Sequence, residues 1–273
     1  MKQICKMIVI SMTIGIVLVQ LMLAVGEYAG FKTLMSFPVP EMVYLGTVSV
    51  GLVIQLIILR PPHFPIYRTM RLLGSEGYSP AFYSEVLDWH RKCGRRGEPY
   101  KTHAQLTLAE LMIDGGHFTE GMKRLDSLDV SALGRKQRLV YYNTYLYGAL
   151  QRGDTDTARR IYADAADLLK AVSDKALSAS VRHTLGCYEY SEGRIGTAEK
   201  LFVQALENAS ADDVRCEIWL SLTACYLDTG RLTNARSALC NAADCAVTLP
   251  MKQKVARAKE LCDNANKEPR NAV

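Results

Sequence analysis

A thirteen-residue phrase occurs twice in this chain, as GRIGTAEKLFVQA from Gly193 to Ala205 and as GRLTNARSALCNA from Gly230 to Ala242, at an offset of 37 residues. Self-similarity at a fixed period of that size restricts the chain to stacked structural units, because one unit cannot bury its apolar face alone. The phrase can be followed backwards through the sequence. A glycine followed five residues later by a small residue appears at Gly116/Gly121, Gly153/Ala158, Gly193/Ala198 and Gly230/Ala235, with glycine spacings of 37, 40 and 37. Before each glycine lies a helical pattern, as with Trp219, Leu222, Thr223 and Tyr226 at intervals of three and four. After it lies another, as with Ala198, Leu201, Phe202, Ala205 and Leu206. Each unit is therefore helix, short glycine-containing turn, helix.

Two antiparallel helices joined so tightly must approach closely. A small residue at Gly186 or Thr223 on the first helix, and at Ala198 or Ala235 on the second, permits that approach, while Leu125, Tyr162, Phe202 and Leu239 fill the space between units. The pattern resembles the tetratricopeptide repeat (TPR) family. Trp219, Leu222, Tyr226, Gly230, Ala235, Leu239 and Ala242 follow that family's order in the last unit, and Leu185, Gly186, Gly193, Ala198, Phe202 and Ala205 in the one before it. Two earlier units, near 102–138 and 139–178, are degenerate. The period exceeds the family's usual value of about 34, which implies longer helices or turns.

The expected architecture is all-α, with four parts. Residues 1–60 read as a two-span hairpin, since Met7–Val25 and Met42–Leu59 are uncharged runs of 19 and 18 residues, near the length that crosses a bilayer. Lys2 and Lys6 before the first span and Arg60, Arg68 and Arg71 after the second place both termini, and the repeats, on the cytoplasmic side of a cell membrane. The competing reading of the first span is a cleaved signal. Residues 61–101 are basic and contain a helix that opens with Ser79 as N-cap and Pro80 at its first position and ends at Gly94. Residues 102–250 hold about four TPR-like repeats as an α-solenoid, and 251–273 a polar capping helix and tail.

Composition narrows the function classes. The eight cysteines contain no CxxC and suit a reducing compartment, where they pack as small apolar side chains. No P-loop, GxSxG, HExxH or dinucleotide fingerprint is present, and neither a cofactor nor a metal site is expected. His183 and Cys187, one helical turn apart, are the one arrangement that invites a nucleophile reading. Residues 102–273 carry 22 basic and 22 acidic side chains, which disfavours nucleic acid. Positive charge concentrates at Arg91, Lys92, Arg95 and Arg96, a candidate contact for anionic headgroups.

The TPR resemblance implies that first helices line a concave groove. The matching positions include Glu110, Asn143, Tyr147, Ser180, His183, Cys187, Tyr190 and Glu217. None is a lysine or arginine, so a clamp for a chaperone's carboxylate tail is not expected. The expected function is a non-enzymatic, membrane-anchored scaffold that holds a peptide or helix of a partner in the groove. The alternatives are an accessory subunit of a larger integral membrane complex, or an enzyme built on the Cys/His pair.

Overall fold

The computed structural model describes residues 63–172 and 175–267, all within one compact unit, Pro62–Val273. Eleven α-helices run through the described residues: α1 Ile66–Ser75, α2 Pro80–Gly94, α3 Glu98–Asp114, α4 Phe118–Asp126, α5 Arg135–Gln151, α6 Thr155–Lys170, α7 Lys175–Ser191, α8 Ile195–Asn208, α9 Asp212–Asp228, α10 Leu232–Cys245 and α11 Leu249–Lys267. A 3₁₀ turn, Val130–Ala132, separates α4 from α5. The pairs α3/α4, α5/α6, α7/α8 and α9/α10 are the helix-turn-helix units of an α-solenoid. In α2 the Ser79 hydroxyl accepts from the Phe82 amide at 3.3 Å with Pro80 at the first position, the start that the sequence indicates.

The placement in a cell membrane is corrected here. Among the described residues no helix is long and apolar enough to cross a bilayer. The physical reason is visible in α11, which has the length but carries Lys252, Lys254, Arg257, Lys259, Glu260 and Asp263 around one narrow apolar stripe. The two segments expected to span, 7–25 and 42–59, lie outside the described residues.

The recurring glycines end the first helix of each unit in the same way. Gly116, Gly153, Gly193 and Gly230 all take positive φ, between 72° and 83°. At Gly230 the glycine amide donates to the Leu227 carbonyl at 3.0 Å, and the Arg231 amide donates to the Tyr226 carbonyl at 2.8 Å. The other three turns repeat this pair of bonds, a Schellman motif that satisfies carbonyls the helix end would leave open. An L side chain in this backbone region costs about 1–2 kcal/mol. Gly230→Ala is thus expected to lose about that much in urea unfolding, whereas Gly196→Ala, where an added Cβ meets open space on α8, should gain up to about 1 kcal/mol. Equal effects at the two positions would show that the turn does not require the left-handed backbone.

Close approach explains the second half of the repeat phrase. A Cβ on Gly186 would stand 2.5 Å from the Phe202 ring, and one on Gly121 would stand 2.7 Å from Ile113 Cγ1. Ala198 and Ala235, the equivalent small residues of later units, are fully buried. Ile113 also lies against Gly148, where a Cβ would come within 2.8 Å, so one side chain packs α3 onto both α4 and α5.

Layering follows from these contacts. The first helices touch in succession, α3 to α5, α5 to α7, α7 to α9, and α11 continues the inner row by packing on α9. At the other end α1 packs on α2 and also on α11, and the Gly77 turn lies against Leu249 and Pro250. The inner row therefore curls until its two ends meet.

Candidate functional site

The curl borders a partly open cavity of about 320 Å³ on the concave side of the repeats. Its walls come from every helix of the inner row. Glu110 and Asp114 are one turn apart on α3, as are Asn143 and Tyr147 on α5. Ser180 and His183 come from α7, and Asp213 and Glu217, again one turn apart, from α9. Thr69 and Leu73 of α1, with Tyr78 and Phe82, form the opposite wall, and Lys254 of α11 completes it.

Of the eight groove positions named from sequence, Glu110, Asn143, Tyr147, Ser180, His183 and Glu217 line this cavity. Cys187 and Tyr190 do not. Tyr190 packs into the core between α7 and α9, and its hydroxyl donates to Asp228 Oδ2 at 2.5 Å. Arg91, Lys92, Arg95 and Arg96 are exposed at the end of α2 and take no part in the cavity. Arg91 and Lys92 pair with Asp88 at 3.4 and 2.6 Å.

The wall is strongly acidic. Four carboxylates, from Glu110, Asp114, Asp213 and Glu217, face one basic side chain, Lys254, whose Nζ donates to Glu217 Oε1 at 2.6 Å. Glu110, Asp114 and Asp213 form no ion pair among the described residues. Enclosure by the helices raises the Asp114 carboxyl to about 8, with the Glu110 and Glu217 carboxylates adding to the effect and Lys254 opposing it. Glu110 is also raised, by enclosure first and then by Asp213. Both side chains are nevertheless exposed to solvent, and screening by that water offsets much of the rise. On the same wall Asn143 Oδ1 is buried without a hydrogen-bond partner.

The His183/Cys187 pair is in contact, with Sγ and Nε2 3.6 Å apart, but its protonation suits packing and not catalysis. Burial pushes the Cys187 thiol up to about 12 and the His183 imidazole down to about 4, so both stay neutral. An activated pair needs the reverse, a thiolate beside an imidazolium. The Ser221 hydroxyl donates to the Glu217 carbonyl at 3.0 Å, so it can only accept at its 2.9 Å contact with His183 Nε2. His183 Nε2 therefore carries the proton and cannot serve as base toward Cys187.

Sequence reasoning did not find Asp114, Asp213, Lys254 or the wall contributed by α1. A signal for the acids was present: Glu110/Asp114 and Asp213/Glu217 are like-charged residues four apart on first helices, an arrangement that disfavours an isolated helix. Nothing in the sequence marks α1 as the partner of α11.

No curated protein and no solved structure matches this chain. A family model described as the SusR N-terminal TPR domain matches residues 87–260, which takes in all four repeat pairs and most of α11. With well over half of its length accounted for by that match, and with the helix pairs and turn glycines in register, the chain belongs to the SusR N-terminal TPR domain family.

Proposed function

We propose that this chain is a non-enzymatic protein-interaction module that receives a short element of a partner against the inner wall of its repeats. TPR domains suggest interaction scaffolds, and the finer reading of where the partner sits rests on one observation. Asn143, Tyr147, Ser180, His183 and Glu217, spread over three helices and 75 residues of sequence, share a single cavity wall. Tyr147 supplies an aromatic anchor of the kind that dominates binding energy, and Asn143 and Ser180 supply adaptable polar contacts. Because α1 and α11 meet across the concave side, the partner inserts a side chain or a tail and does not lay a long helix along the groove. The four carboxylates of the wall oppose entry of an acidic carboxylate tail.

The test is an occluding substitution. After a partner has been identified by affinity purification and itself purified, Ser180→Trp should weaken its binding by about tenfold or more, the scale of one hot-spot contact. The melting temperature is measured on the same sample. Glu207→Ala, on the exposed face of α8, should leave binding unchanged. Undiminished affinity in a folded Ser180→Trp protein would remove the cavity from the reading.

A further inference from the structure

We propose that the cavity receives the ring of a phenol, whose single hydroxyl donates to His183 Nδ1 and accepts from the Thr144 hydroxyl. The inference rests on the reading of the inner wall as a binding surface and names the group that enters it. Three observations carry it.

The first is a set of buried polar side chains, some of which the protein leaves without partners. Thr69, Thr144, His183, Thr184 and Thr248 all line the cavity, and each is at most 7% exposed. A buried threonine on a helix ordinarily returns its hydroxyl to a carbonyl of the preceding turn. Thr69 does so to Pro65 at 2.9 Å, and Thr184 to Ser180 at 3.0 Å. Thr144, 4% exposed in the middle of α5, makes no side-chain hydrogen bond among the described residues, and neither does Thr248, 5% exposed just before α11. The polar atoms sealed away without a partner among the described residues are Asn143 Oδ1 and Trp219 Nε1. Both threonine hydroxyls therefore keep an opening, and that opening is the cavity.

The second is the state of His183. Its Nε2 carries the proton and directs it to Ser221 at 2.9 Å, which leaves Nδ1 as an acceptor with no hydrogen bond among the described residues. Tyr147, one turn after Thr144 on α5, has its ring centroid 6.1 Å from that of the imidazole. The unpaired donor of Thr144 and the unpaired acceptor of His183 thus belong to adjoining stretches of α5 and α7. One hydroxyl satisfies both, since it donates through its proton and accepts through its lone pairs.

The third is the body of the lining. Leu73, Phe82, Ile113 and Met251 are apolar, and Tyr78 stands edge-on to Phe82 with 5.3 Å between ring centroids. Such walls match a flat ring, which buries a large area with few rotatable bonds. The exposed carboxylates of Glu110, Asp114 and Asp213 disfavour an anion. A phenol, with a pKa of about 10, enters neutral.

The phenol can be a free small molecule or the side chain of a partner's tyrosine, and the experiment separates these sources. The full chain is titrated calorimetrically with p-cresol and with N-acetyltyrosinamide, each beside its counterpart without the hydroxyl, 4-fluorotoluene and N-acetylphenylalaninamide. Saturable binding of p-cresol, at least about tenfold tighter than that of 4-fluorotoluene, is the expected result, because the analogue leaves the polar groups of the wall unpaired. Binding of N-acetyltyrosinamide as well, again above its counterpart, assigns the site to a tyrosine side chain, whereas binding of p-cresol alone assigns it to a free phenol. Thr144→Val keeps the shape and removes the hydroxyl, and should weaken p-cresol by about fivefold or more while leaving 4-fluorotoluene unchanged. Thr223→Val should change neither, since Thr223 is buried on α9 outside the cavity with its hydroxyl on the Trp219 carbonyl at 2.8 Å. Circular dichroism confirms that each variant is folded, and if Thr144→Val is not, the wild-type comparison of p-cresol with 4-fluorotoluene decides. No saturable binding of p-cresol, equal affinity for p-cresol and 4-fluorotoluene, or undiminished p-cresol affinity in a folded Thr144→Val protein overturns the proposal. If Ser180→Trp still weakens binding of the purified partner in that case, the interaction reading stands and only the phenol is lost.

Discussion

Phe202→Ala is expected to lower the unfolding free energy by about 3–5 kcal/mol, the largest single-residue effect anticipated in this fold. Phe202 is 1% exposed, and its ring occupies the notch that Gly186 leaves open on the neighbouring helix. It also lies 5.6 Å, ring to ring, from His183. Truncation leaves a void that α7 and α8 cannot close, because Ala198 and Ala205 already bring their backbones together. The reciprocal change, Gly186→Ala, forces the ring aside and should cost about 1–3 kcal/mol. The two sites touch, so their effects should not add: Gly186→Ala should cost less in a Phe202→Leu background. Urea unfolding of the four proteins measures the coupling. Strict additivity, or a loss below about 1 kcal/mol for Phe202→Ala, would contradict the wedge.

The second large effect is acid sensitivity centred on His183. Its imidazole is 7% exposed, and burial holds it down at about 4, with Glu217 pulling the other way and Lys254 reinforcing burial. Tyr147, Ser221, Cys187 and Phe202 are its other neighbours, and none carries a charge at neutral pH. An unfolded histidine takes a proton near 6.5, while the native one refuses it until about 4. The stability contributed by the neutral imidazole is therefore whole above pH 6.5 and is lost as pH falls toward 4, by about 3 kcal/mol. Asp114 and Glu110 act in the opposite sense. Their raised carboxyls favour the native state at low pH, and that gain fades as pH rises toward the folded value, about 8 for Asp114. The two trends are separated by difference. His183→Gln keeps a donor for Ser221 and should abolish the acid loss between pH 7 and 4.5 while leaving the carboxyl contribution in place. Parallel pH profiles for wild type and variant would show that His183 is not buried as a neutral group.

Much of the repeat architecture was legible in the residues because its requirements are local. Gly116, Gly153, Gly193 and Gly230 end helices in a backbone that only glycine adopts without strain, and a conformational requirement of that kind is written at one position. The notch at Gly186 and the ring at Phe202 are sixteen residues apart within one unit, so their spacing recurs with the repeat. The helix from Pro80 to Gly94 was marked by its own cap. The inner-row positions Asn143, Tyr147, Ser180, His183 and Glu217 followed from the repeat register that the family resemblance supplies.

Other features depended on how far the row of helices curls, a quantity that accumulates from small rotations between units and is written at no single position. That curl brings α1 onto α11 across nearly the whole described chain, narrows an open groove into a partly open cavity, and places Lys254 against Glu217. It also separates residues that the sequence puts on equal footing: His183 faces the cavity, while Cys187, one turn later, and Tyr190 are drawn into the packing between units. The sequence by itself determined the paired helices, their turns and the faces they bury, since each is decided within a few residues by backbone sterics and apolar periodicity. Only the tertiary structure decided that two pairs of acids on helices far apart in the chain, Glu110/Asp114 and Asp213/Glu217, share one small volume, because charge acts through space and not along the sequence.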